Sequence, residues 1–147
     1  MTETTTNSPS VRKTPWHIWV VGGLAVLWNG SGAYTIMMAQ AGRLAGVSED
    51  EAAYYAAQPT WFVVVTDIAL LAAIAAGIAL LLRRRTAVWL FALSLIAILV
   101  TNIYDLAADT SRMLASQGAL ILTGIIVLLA VLQLAYAWAM KKRAVLS

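Results

Sequence analysis

The chain has 147 residues, a length suited to one domain; 61% are hydrophobic against about 45–50% in soluble domains, and 12% are charged against about 25%. That composition belongs in lipid, and the +3 net charge does not indicate nucleic acid, because the basic residues sit in short clusters at the ends of apolar runs. With no cysteine and one histidine, His17, the chain excludes disulfides, thiolate chemistry, Cys-ligated zinc or iron–sulfur clusters and a bis-histidine haem site within one chain.

Residues 1–15 are polar, rich in Thr and Ser, and hold two of the three prolines, so they read as a disordered cytoplasmic tail. Arg12 and Lys13 then precede the first apolar run, 16–40, whose Trp16 and Trp19 suit the headgroup region. The same start also fits a secretory signal with Ala39-Gln40-Ala41 as its cleavage site. That site lies more than ten residues beyond the most apolar stretch, Ile18–Trp28, and retention of the span is the expectation.

Residues 41–60 carry Arg43, the triplet Glu49-Asp50-Glu51 and Pro59, and read as an outer loop. Ser48 followed three residues later by Glu51 is the pattern of a capping box, which predicts a short interfacial helix through Ala52–Ala57 with Tyr54 and Tyr55 at headgroup level.

The second span, 61–82, opens at Trp61, carries one carboxylate at Asp67 and stops at Arg83-Arg84-Arg85. About 20 helical residues at about 1.5 Å each cross the hydrocarbon core, so its length suffices. A turn of a few residues leads to the third span, 88–104, and the two form an antiparallel hairpin. A second outer loop, with Asp105, Asp109 and Arg112, precedes the fourth span, 118–140, which closes on Lys141-Lys142-Arg143 before a short inner tail, 144–147.

Eight of the ten basic residues fall in the N-terminal tail, the Arg83–Arg85 turn and the C-terminal cluster, and one in each outer loop. Both termini are therefore expected in the cytoplasm. The expected fold class is all-α: a polytopic four-helix bundle in the cell's inner membrane, with bilayer lipid as its first partner.

Helices associate in lipid through small residues that let backbones approach, recurring about every four positions. Ala69, Ala73 and Gly77 form such a stripe in the second span, flanked by Ala72 and Ala76; Gly22, Ala25, Asn29, Gly32 and Ala33 form another in the first. These faces are expected to pack the bundle, and they also offer a surface to a second copy or to a partner membrane protein.

Polar residues within the spans must find partners or line a cavity. Counting inward from the outer ends places Asn29, Tyr34, Thr35, Thr66, Asp67, Thr101, Asn102, Asp105 and Thr123 in the outer half, whereas the inner half is nearly all apolar apart from Ser94 and Gln133. An ionised Asp67 would be costly at its depth, so it is expected to be protonated, bonded to donors such as Asn29 and Asn102, or wetted by an outer-facing cavity. Asp67, Asn29, Asn102, Thr101 and Tyr34 are the candidate ligand-binding residues. His17 and most of the six tryptophans suit interfacial anchoring, and no cofactor, metal or nucleic-acid site is expected.

The chain resembles a family of small four-span bacterial membrane proteins often catalogued as "sugar transporter". The likeness covers roughly residues 16–143 and rests on Leu27-Trp28-Asn29 with Gly32-Ala33 and Gln40, on Pro59-Thr60-Trp61, on the leucines before Arg83-Arg84-Arg85, on Ser94-Leu95, and on Ala137-Trp138-Ala139-Met140. The resemblance implies the four-span architecture and brings no catalytic or binding residues. Members commonly carry an acidic residue and a tyrosine just after the Gly-Ala pair, where this chain has Thr35 and Ile36, so no role of that acid carries over.

The features together call for a non-catalytic structural or regulatory membrane protein. The alternative is a small-molecule or ion carrier with a polar site in the outer half of the bundle. An enzyme is not expected, since no Ser-His or paired-carboxylate arrangement is present to do general acid–base work.

Overall fold

A computed structural model of the protein describes residues 15–108 and 117–146, with side chains from 120 onward in the second stretch. The polar tail before Pro15, the loop 109–116 with Asp109 and Arg112, and Ser147 lie outside the described residues. Within them the chain is all helical and contains no strand: α1 (His17–Gln40), α2 (Glu49–Ala57), α3 (Thr60–Leu81), α4 (Thr86–Ala107) and α5 (Gln117–Lys142).

Local chemistry sets the boundaries. The capping box starts α2 at Glu49: the Ser48 hydroxyl accepts from the Glu51 N–H at 3.2 Å, and the Glu51 carboxylate accepts from the Ser48 N–H at 2.9 Å. Pro59, extended at ψ 148°, launches α3 without needing an N–H partner. Three helices end in the same device: Gly42, Arg83 and Ala144 take positive φ of 65°, 57° and 53° beyond α1, α3 and α5. The following N–H groups, of Arg43, Arg84 and Val145, reach back to the carbonyls of Met38, Ala79 and Met140 at 2.8, 2.8 and 3.1 Å. α4 is longer at both ends than the expected 88–104, and it takes Asp105 into its last turn instead of leaving it in the loop.

α3 sits at the centre, packed against α1 on one side and α4 on the other; α5 lies along α4, and α2 touches α1. The small residues make the α1–α3 contact close. A Cβ on Gly77 would lie 2.8 Å from the Val26 side chain, and one on Gly22 would lie 2.6 Å from that of Leu81. Ala69, Ala72, Ala73 and Ala76 are buried with them, and so are Ala25 and Ala33 of the α1 stripe. Gly22, Ala25 and Gly77 are thus spent on packing within the chain. The end of the bundle at the α3–α4 turn closes over Ile18, Leu80, Phe91 and Met140, with Leu146 folded back beneath them at 1% exposure.

Among the described residues three helices are long and apolar enough to cross a membrane: Thr60–Leu81, Thr86–Ala107 and the Leu120–Lys142 part of α5. α1 has the length, at 24 residues, but Asn29, Ser31, Tyr34 and Thr35 dilute the apolarity of its outer half. α5 is bare through its outer half, where Leu120, Ile121, Ile125 and Leu128 are all exposed, and becomes buried only from Ala137 on. Apolar side chains in that setting face lipid tails at no cost.

Candidate functional site

The antiparallel register of α1 and α3 decides which polar residues can meet. With Gly22 opposite Leu81 and Gly77 opposite Val26, Asp67 lies level with Ile36, and Asn29 lies level with Ile74, roughly 10 Å deeper. Trp61 and Phe62 of α3 stack on Tyr104 of α4 with centroids 4.8 and 5.5 Å apart, which puts Thr101 and Asn102 about one turn outward of Asp67. By this register Tyr34, Asp67, Thr101 and Asn102 fall within about two turns of one another along the helix axes, and Asn29 lies apart from them.

Each finds its own environment. The Asn29 amide donates to the Ala25 carbonyl at 2.7 Å and to Gln133 Oε1 of α5 at 3.2 Å, which uses both of its hydrogens. The Asn102 amide turns back to the Ile98 carbonyl at 2.8 Å, and the buried Thr101 hydroxyl lies 2.9 Å from that same carbonyl and 3.3 Å from Ala97 O. Tyr34 is 65% exposed. Asp67 is half-buried, and its Oδ1 is fully buried without a hydrogen-bond partner. The Asn29 donor expected to serve Asp67 is thus committed to α5, and the Asn102 amide turns back on its own helix.

Unpaired polarity collects instead at the end of the bundle that carries α2. Alongside Asp67 Oδ1, the buried Thr66 Oγ1, Gln40 Nε2 and Gln58 Oε1 also lack partners. Buried polar atoms are bonded in the great majority of cases, so these four stand out from the rest of the described chain. Near them α2 is tied down: the Tyr54 hydroxyl donates to Asp105 Oδ2 at 2.9 Å. Burial pushes the Tyr54 hydroxyl far above its ordinary value, with the Asp105 charge next in importance.

Two contacts were not legible as pairs. Gln133 stood out in the sequence only as polarity in an apolar half; the rule that intramembrane amides pair would have sent it looking for Asn29. His17 is more than an interfacial anchor, since its Nδ1 hydrogen-bonds the Tyr136 hydroxyl and the rings meet edge to face. Through these two bridges α5 reaches α1.

Among the described residues no group of three or more His, Cys, Asp or Glu side chains is placed to hold a metal ion. The apolar helices and their lipid-suited surface define a helical membrane protein. No protein family, curated protein or solved structure matches the chain.

Proposed function

We propose that the chain is a small non-catalytic protein of the cytoplasmic membrane, a structural or regulatory subunit with four spans and both termini inside. The observation that carries this reading is the fate of the polar layer. Asn29 is bonded to Gln133 across the α1–α5 seam, and Asn102 and Thr101 are satisfied by carbonyls of their own helix, so each of these donors has a partner inside the protein without a solute. α1 supplies the fourth span on this reading: its 24 residues cover about 36 Å, and the hydrogens of Asn29, Ser31 and Thr35 all go to acceptors inside the protein. The bare outer half of α5 suits a helix seated against another membrane protein.

A second reading, a carrier with an outer-half site, is favoured by the unpartnered Thr66 Oγ1 and Asp67 Oδ1. A donor-rich solute or a cation would satisfy both.

One experiment separates the two. The chain has no cysteine, so single substitutions give clean labels. In whole cells treated with a membrane-impermeant maleimide, Arg43→Cys should react and Arg84→Cys should react only after permeabilisation. Asn29→Cys, Asp67→Cys and Asn102→Cys should all stay unlabelled. Labelling at positions 67 and 102 that a solute or cation then blocks would replace the subunit by the carrier.

A further inference from the structure

We infer that the turn between α3 and α4 is a binding site for the phosphate of an anionic phospholipid headgroup. The turn holds an open depression of about 430 Å³ lined by Leu82, Arg84, Arg85 and Thr86. Its shape is set by the helix ends around it. Arg83 in the left-handed conformation turns the chain sharply, and the Arg84 N–H bond to Ala79 O at 2.8 Å fixes the backbone that carries the arginines.

The side chains divide the work. Arg85 Nε donates to the Leu146 carbonyl at 3.2 Å, which orients the guanidinium and leaves its terminal nitrogens for a ligand. Among the described residues no hydrogen bond is made by the Arg84 guanidinium or the Thr86 hydroxyl, and both residues line the hollow beside Arg85. Guanidinium forks match phosphate oxygens two at a time, which a diffuse surface charge does not.

The described acidic side chains lie away from this end. The carboxylates, Glu49, Asp50, Glu51, Asp67 and Asp105, all lie in the outer half or the outer loop, and Lys141 and Lys142 add to the positive charge. The surroundings suit a lipid over a soluble anion. Leu82, 62% exposed, forms the apolar wall along which an acyl chain would leave, and Trp89 lies one turn further along α4 with Lys141 Nζ 5.6 Å from its ring centre.

The test uses the full chain in nanodiscs of zwitterionic lipid doped with phosphatidylglycerol, with retained lipid counted by native mass spectrometry. Symmetric leaflets make the result independent of which way the chain inserts, so it stands or falls apart from the proposed topology. Wild type should retain phosphatidylglycerol in preference to phosphatidylcholine. Arg84→Gln should weaken that retention about tenfold and Arg84→Gln/Arg85→Gln further, with melting temperatures near wild type. Lys141→Gln/Lys142→Gln should keep it. Equal retention by the arginine variants, or equal loss in the lysine variant, would overturn the site. Competition by inorganic phosphate without any lipid preference would reassign it to a soluble phosphate and overturn the lipid.

Discussion

Asn29 and Gln133 meet at 3.2 Å across the seam between α1 and α5, and with the His17–Tyr136 pair they draw α5 to the first helix. A polar side chain in the middle of each helix is thereby satisfied by the other. The coupling between Asn29→Ala and Gln133→Ala should be about 0.6 kcal/mol, the average for hydrogen bonds between membrane helices, with about 1.7 as the upper bound. In a double-mutant cycle with Gln133→Ala, followed by unfolding in mixed micelles, the two losses should fall short of additive. Strict additivity would mean that the bond contributes nothing.

The α1–α3 contact predicts a graded glycine series. Gly77→Ala places its Cβ against the stiff, branched Val26 and 3.3 Å from the Val26 backbone nitrogen, and should cost about 1–3 kcal/mol. Gly22→Ala meets the flexible end of Leu81 and should cost less. Gly23→Ala meets nothing within 4 Å and should be neutral or stabilising by up to about 1 kcal/mol, because alanine is the better helix former. Thermal unfolding of the three variants should reproduce that order.

The C-terminal turn offers a stabilising change. Ala144 holds φ 53° so that Val145 can bond back to Met140 and Leu146 can seal the end of the bundle at the α3–α4 turn. A Cβ in that conformation is strained, and Ala144→Gly should raise stability by about 1 kcal/mol. A melting temperature that stays level or falls would show that the strain is already relieved.

Much of this fold could be read from the chain, and the parts that could not share a cause. Helix positions followed from apolar runs bounded by Pro59, the arginine triplet and the terminal basic cluster; the α2 start followed from Ser48 and Glu51. These are local signals. Of the fates open to Asp67, a bond to Asn29 is one the fold does not form, and sequence gives depth along a span only to within a turn or two. The α1–α3 register, set by where Gly22 and Gly77 allow contact, separates the two by roughly 10 Å. The end of α4 was harder to place: Asp105 sits at the boundary of span and loop in the sequence, and its partner Tyr54 lies 51 positions away in the chain.

α2 carries an acid limb of stability. The Ser48 N–H, and then the Ser48 hydroxyl, hold the Glu51 carboxyl below its ordinary value. A lowered folded pKa gives stability that is present above the unfolded value near 4.5 and is lost as pH falls through the folded one. Glu51→Gln should remove that acid dependence from α2 helicity. Proteolysis at the outer loop between pH 3 and 6, set against wild type, would report it; identical profiles would exclude the capping box as its source.

The alkaline limb belongs to Tyr54. Burial first, and the Asp105 charge next, push its hydroxyl far above the ordinary value of 10.0. The unfolded chain ionises this phenol near that ordinary value while the folded chain keeps it neutral. Stability from this group is therefore fully present below about pH 10 and is lost as pH rises toward the folded pKa. Tyr54→Phe should cost about 1 kcal/mol at neutral pH by removing the bond to Asp105, and should flatten the loss above pH 10. Ultraviolet titration of tyrosinate should show one phenol fewer among the late-ionising tyrosines of the variant. A Tyr54 phenol that instead ionises at its ordinary value of 10.0 would mean that α2 does not stay docked on α4 at high pH.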